Sequence, residues 1–242
     1  MTPPHPAPVR IRVATYNIHR SRGLDGRTSA KRIADVIASL EADIIALQEV
    51  VGASASAAGH AAELGALLGM GWVMAPTRRL RGHLFGNVVL SRFPVRYHTQ
   101  YDLPTLREPR CCQRVDLAID DHTLHLYNVH LGTGLLERRG QAVRLAEILD
   151  DRHVRAPKIM LGDFNEWIRG PATRVLTERL QSLDLRSHLR RRRTYPGVFP
   201  VLHLDHLYFK GEVQVLEVVL PRTRKTLIAS DHLPLVAELA VR

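Results

Sequence analysis

The stretch Lys158-Ile159-Met160-Leu161-Gly162-Asp163-Phe164-Asn165 runs from a short apolar segment straight into two polar residues. Its apolar part predicts a strand over Lys158–Leu161, which leaves Asp163 and Asn165 just past the strand end. One such pair is what a turn or a helix cap looks like, because short polar side chains satisfy free backbone groups there. The same juxtaposition recurs along the chain. Strands predicted over Ile11–Ile18, Asp43–Val50, Thr123–Leu131 and Leu204–Phe209 carry Asn17, Glu49, His130 and Asp205 at or near an end, and Asp231 and His232 directly precede one predicted over Leu233–Leu239. If these strands run to a common edge, their polar side chains converge in one crevice, where carboxylates and amides can hold Mg²⁺ through oxygen.

Working outward, further strands are predicted over Gly86–Ser91, Arg114–Ile119 and Val213–Leu220. That number implies more than one sheet, or one very wide one. Helices follow from Ile33, Val36, Ile37 and Leu40, spaced i, i+3, i+4, i+7, and from the same spacing of Ala142, Leu145, Ala146 and Leu149. Two more are expected over Ala61–Leu68 and Ala172–Leu180, the second starting after Pro171, where a missing amide proton costs little. Strands exchanging with amphipathic helices give a mixed α/β chain. The proline-rich stretch Met1–Arg10 reads as a flexible leader, and residues 11–242, which contain no repeat or long linker, as a single domain.

The 242 residues are 45% hydrophobic and 24% charged, a balance that argues against disorder. No apolar run approaches the about 20 residues that cross a bilayer, and the leader lacks the apolar core of a secretory signal. Adjacent Cys111 and Cys112 cannot easily adopt disulfide geometry, so free thiols and a reducing, cytoplasmic setting are expected. A net charge of +10 favours polyanionic partners, nucleic acid or an anionic lipid surface. Aromatic residues make up only 5% and none alternates with the arginines, so a base-stacking platform is not indicated. No helix with Trp or Phe along one face stands out, so a lipid substrate would be met through peripheral, mainly electrostatic docking. Trp72 and Trp167 read as core or as anchors.

The segments Thr15-Tyr16-Asn17-Ile18, Leu47-Gln48-Glu49-Val50, Asn128-Val129-His130-Leu131, Gly162-Asp163-Phe164-Asn165, Leu204-Asp205-His206-Leu207 and Ser230-Asp231-His232 together resemble the endonuclease/exonuclease/phosphatase (DNase I-like) superfamily, in the right order over about residues 11 to 240. Gly86 to Pro94, Glu108-Pro109-Arg110 and Tyr195-Pro196 look most like a small bacterial subgroup of metal-dependent hydrolases. The resemblance implies a four-layer α/β/β/α sandwich of two mixed β-sheets flanked by helices, with a cleft at one end.

It also implies roles. Glu49 corresponds to the principal carboxylate for Mg²⁺ or Mn²⁺, Asn17 to an amide ligand, and Asp231 to a residue beside the metal or bracing its loop. His232 corresponds to the histidine that takes a proton from water, oriented by Asp205, and Asp163 with Asn165 to the pair that positions this water and holds a phosphate oxygen. His130 corresponds to a donor to the phosphate. His19 stands where some nucleases of the superfamily carry an acidic residue, which implies one metal, and His130-Leu131-Gly132 departs from the repair-type pattern. Arginines cluster at 78, 79 and 81, at 107, 110 and 114, and at 186 and 190–193; around a cleft they would form an anion funnel, with Arg110 the best placed to hold phosphate. The expected activity is a metal-dependent phosphoesterase acting, as a monomer, on a phosphodiester: nucleic acid, phospholipid or a smaller molecule, with peripheral contact to an anionic membrane. A nonspecific nuclease and a catalytically silent basic binding module remain as alternatives.

Overall fold

A computed structural model describes residues 7–166, 168–183, 185–189 and 193–242. Residues 1–6 of the expected leader, Trp167 and Arg190–Arg192 lie outside the described residues, as do the side chains of Leu185 and Arg186. The chain builds β1 (Val9–Asn17), α1 (Ala30–Ala38), β2 (Ile44–Val51), α2 (Gly59–Leu68), β3 (Gly71–Leu80) and β4 (His83–Ser91). It continues through β5 (Val95–Leu103), β6 (Arg110–Ile119), β7 (His122–His130), α3 (Leu135–Leu149) and β8 (Lys158–Asp163). Then come α4 (Pro171–Arg179), the two-residue β9 (Gln181–Ser182), α5 (Leu185–His188), β10 (Asp205–Lys210), β11 (Val213–Val219), α6 (Arg224–Ala229) and β12 (Leu235–Val241).

Two six-stranded mixed sheets result, ordered β11-β12-β1-β2-β4-β3 and β5-β6-β7-β8-β10-β9. Each has one parallel pair at its centre, β1–β2 and β7–β8, and antiparallel neighbours elsewhere. The crossover helices α1 and α3 connect the parallel strands, since a parallel return needs a long connection. β1 shows why such strands read as near-continuous apolar runs. Val13 enters the core between the sheets, whereas Ala14 and Tyr16 enter the core under α1 and α2. A third core, with Tyr127, Val129 and Met160, lies under α3 and α4. Three apolar layers thus separate four layers of secondary structure, and the expected sandwich is the observed fold.

The differences have local causes. Val9 and Arg10, assigned to the leader, begin β1 and pair with Val241 and Ala240. β3 was not foreseen because Pro76 interrupts it, and a proline is tolerated on an edge strand, which β3 is. β5, the edge of the other sheet, is Val-Arg-Tyr-His-Thr-Gln-Tyr-Asp-Leu and reads as a polar connection. Cys111 and Cys112 are free and buried. No described helix is long and apolar enough to cross a membrane.

Gly162 fixes how closely β7 and β8 approach. Its φ is +149°, and a Cβ there would collide with the carbonyl oxygen of Val129. Gly162→Ala is therefore expected to cost about 3 kcal/mol. Gly69→Ala, at φ +62° with open space around it, should cost only about 1 kcal/mol. Urea midpoints of the two variants test the contrast; equal shifts would show that the strand approach does not depend on Gly162.

Candidate active site

Because β1–β2 and β7–β8 are parallel, their carboxyl ends share an edge, and the antiparallel β10 and β12 begin there. Asp163 closes β8 directly between His130 of β7 and Asp205 of β10 in the sheet register. Asn17 closes β1, opposite Gln48. Glu49 lies where β2 slips register against β4 between Leu47 and Val50, with φ +57°. Such a bulge re-aims a side chain, and the left-handed backbone is a strain that persists at functional sites because the surroundings enforce it.

Asp163 is the hub. Its Oδ2 accepts from Asn17 Nδ2 at 3.0 Å, and its Oδ1 from the backbone N–H of Asn165 at 3.0 Å. His130 Nε2 and His232 Nε2 each stand 3.6 Å from Oδ2. Asn17 Nδ2 is also 3.4 Å from Glu49 Oε1, and His232 Nδ1 is 3.0 Å from Asp205 Oδ2. Asn165, left-handed at φ +49°, donates its amide to Leu131 O at 2.9 Å. Seven of the residues singled out from the sequence, Asn17, Glu49, His130, Asp163, Asn165, Asp205 and His232, are thus linked.

Asp231 stands at the margin. It is partly exposed, and its Oδ1 is 3.7 Å from His19 Nδ1. Ser230 Oγ donates to Asn17 O at 2.7 Å and accepts from the His232 N–H at 3.3 Å, which locks this loop to β1. Arg110 reaches His130 Nδ1 with Nη1 at 3.1 Å and is braced by Glu108 at 3.2 Å. A guanidinium only donates, so His130 Nδ1 accepts and its proton sits on Nε2, facing Asp163. Glu49, Asn87, Arg110 and His130 line one narrow pocket.

Electrostatics separate the two histidines. Burial, with Arg110 and the cationic His232 nearby, holds His130 well below the usual imidazole range and keeps it neutral. Burial also opposes the charge on His232, but Asp205 and Asp163 outweigh it and push its pKa up to about 10. Burial raises Asp163 to about 6, partly offset by His232 and reinforced by Asp205.

The funnel is smaller than expected. Arg78 pairs with Glu108 at 3.0 Å and lies over Phe85. Arg114 is carried further along β6, held by Asp116 and Tyr101 rather than facing the pocket. Sequence reasoning noted His19 only as standing where an acidic residue is absent and Tyr195 only as part of a subgroup motif, and it missed Arg20, Ser21 and the contacts that all four make. His19, Arg20 and Ser21 are three consecutive left-handed residues, at φ 43°, 59° and 58°. They bring Arg20 Nε to 4.0 Å from Glu49 Oε2. Tyr195 places its ring 4.9 Å from that of His232. Beneath them, Gln48 donates to Asn128 Oδ1 at 2.8 Å and to Thr15 Oγ1 at 3.1 Å, and Asn128 donates to Leu47 O and Val88 O of the other sheet at 3.0 and 3.1 Å. Motif spacing signals none of these contacts.

The donor set suits a hard ion. Glu49 and Asn17 adjoin, and Asp205 Oδ1 is buried without a hydrogen-bond partner. Among the described residues no three His, Cys, Asp or Glu side chains are grouped so that they could hold a metal ion by themselves. One or two protein oxygens with water completing the shell is the pattern Mg²⁺ accepts and a structural zinc site does not.

The sequence profile of the Endonuclease/Exonuclease/phosphatase family matches residues 14–232. YbhP of Escherichia coli strain K12 is 32% identical over 247 residues, covering 95% of this chain and 96% of YbhP. The structure of the mannosyl-6-phosphatase Bt3783 of Bacteroides thetaiotaomicron VPI-5482 superposes with a TM-score of 0.76 at 19% identity, over 95% of this chain and 99% of that one. The human Nocturnin catalytic domain with bound sulfate gives 0.73 at 18% identity, over 96% and 95%. At such identities the structural likeness speaks to the fold alone.

A raised imidazole pKa stabilises the folded state fully below its unfolded value of 6.5, and that contribution is lost as pH climbs through about 10. Metal-free protein should therefore weaken between neutral pH and pH ~10 in urea titrations, and His232→Gln should flatten this slope. Nitrogen NMR should show both ring nitrogens of His232 protonated at mildly alkaline pH in the wild type but not in Asp205→Asn. A neutral His232 there would refute the ion pair.

Proposed function

Since the chain belongs to the endonuclease/exonuclease/phosphatase family, whose members hydrolyse phosphoesters, we propose that it is a Mg²⁺- or Mn²⁺-dependent phosphodiesterase. The observation that carries this reading is the convergence of Asn17, His130 and the His232–Asp205 pair on Asp163 from both sheets, with Glu49 joined to the cluster through Asn17. Glu49 and Asn17 would hold the ion, the amide turning its oxygen toward it, with Asp231 close by. When bound, the ion offsets charge developing on the phosphoryl oxygens.

The other roles follow from what each group can give or take. His232 lies between two carboxylates, so it stays protonated and donates from Nε2 to a phosphate oxygen rather than removing a proton from water. Asp163, desolvated and beside a second carboxylate, is the better proton acceptor. This exchanges the roles first expected of the two residues. Neutral His130 donates from Nε2, Asn165 fixes the water's approach, and Arg110 adds a charged contact beside the pocket. One chain supplies every residue, so a monomer suffices. Free Cys111 and Cys112 support a reducing, cytoplasmic setting. The nuclease alternative predicts a steep loss of rate with salt, whereas a small-substrate esterase loses little.

Turnover of bis-(p-nitrophenyl) phosphate should require added Mg²⁺ or Mn²⁺ and stop with EDTA. Glu49→Ala should abolish the metal stimulation, and His232→Ala and Asp163→Asn should lower kcat by about a thousandfold, with circular dichroism unchanged. Arg110→Ala should raise KM more than it lowers kcat. Full activity in Glu49→Ala or His232→Ala would disprove these roles.

A further inference from the structure

The topology that gathers the polar residues also gathers the loops around them. The β5–β6 connection, the start of α3, the segment after β8 and the segment before β10 all leave the sheets at the site edge. They expose Leu106, Leu135, Leu136, Ile168, Val198 and Phe199, each between 59% and 77% accessible. Scattered exposed apolar residues need no explanation, but a concentration around one cleft does. These residues are also held in place. The Glu137 carboxylate accepts from the backbone N–H of Leu106 at 2.9 Å and of Arg107 at 3.0 Å, fixing that loop beside Leu135 and Leu136. The Gly197 N–H donates to Asp231 O at 2.6 Å, which anchors Val198 and Phe199 on the other side of the pocket.

Cations accompany these apolar residues. Arg79, Arg81, Arg107, Arg139 and Arg169 are exposed on this rim. The opposite end mixes acidic residues, Glu41, Asp120, Asp121, Asp150 and Glu212, with exposed Arg92, Arg152, Arg155, Lys210 and Arg242, so what sets the rim apart is the apolar residues that its arginines accompany. Aliphatic side chains interleaved with arginines match an anionic bilayer, where apolar groups enter the headgroup boundary and cations meet the surface potential. They do not match single-stranded nucleic acid, which needs aromatic platforms; of the six apolar residues only Phe199 is aromatic. A second copy of the chain would bring two cationic rims together.

We propose that this rim docks on an anionic lipid bilayer and seats the mouth of the site among headgroup phosphates. Docking itself is independent of the hydrolase reading, on which only the choice of a membrane phosphodiester as substrate rests. The apolar contacts come from loops of separate strands, which is why no amphipathic helix announces them.

Sedimentation with vesicles of phosphatidylcholine and phosphatidylglycerol, in EDTA at low salt, tests this. Wild-type protein should pellet with these vesicles and much less with phosphatidylcholine alone. The double variant Leu135→Ser/Leu136→Ser, altered only at exposed positions, should bind about tenfold more weakly while turning over bis-(p-nitrophenyl) phosphate like the wild type. Arg79→Glu/Arg81→Glu should also weaken binding. The proposal is overturned if wild type does not pellet, if the leucine variant pellets equally well, or if a single-stranded oligonucleotide is bound in preference to the vesicles. Vesicle binding by a wild type inert toward the soluble diester would support docking while removing the hydrolase reading.

Discussion

A carboxylate with almost no water around it is the constraint on which the site depends. Asp163 ends β8 in a position that burial makes costly, so its neighbours must answer for it. Asn17 comes from one sheet, and Asn165, His130 and the His232–Asp205 pair approach from the strands and loops beside it. Remove that carboxylate and little remains to bring two histidines and an asparagine to one point. The site is therefore a balanced charge cluster first, and the chemistry proposed for it uses the imbalance that a phosphate would introduce.

The fold supplies this arrangement by duplication of a simple device. Each sheet centres on a parallel pair with a crossover helix, and the polar ends of both pairs face the same way. What keeps the two sheets in register is a buried polar staple rather than apolar packing alone. Asn128, on the second sheet, hydrogen-bonds the backbone of Leu47 and Val88 on the first, and Gln48 reciprocates. Apolar side chains tolerate sliding by fractions of an ångström, whereas paired buried amides do not, because a misplaced one forfeits about 1–3 kcal/mol. The staple lies directly below Glu49 and Asn17, where such sliding would matter most.

How much of this was legible in sequence depends on the kind of signal. The central strands announced themselves through β-branched runs, and Asn17, Glu49, His130, Asp163, Asp205 and His232 through their place at strand ends. The edge strands β3 and β5 did not, since edges tolerate Pro76 and a polar alternation that also describes a loop. Arg114 was grouped with Arg110 by spacing, but Asp116 lies two residues along the same strand and claims it. Arg20 was invisible as a site neighbour, and His19 was noted only as standing where an acidic residue is absent, because a left-handed turn built from non-glycine residues has no compositional signature. Gln48 and Asn128 lay in quoted motifs, yet nothing in the pattern says that a polar side chain at mid-strand points into the core.

The places where local rules are broken lie along the site edge. Glu49, Asn165 and the His19–Ser21 turn all adopt positive φ without glycine, at about 1–3 kcal/mol each. Positive φ at Glu41 and Asp120 is of a different kind, since those residues sit in exposed turns at the far end. Relaxing Glu49 to an extended backbone would restore the β2–β4 register and, by the twofold alternation of a strand, turn its carboxylate to the other face. Strain here is thus the cost of aiming two consecutive side chains, Gln48 into the staple and Glu49 into the pocket. A strand without the bulge could serve one purpose or the other, but not both.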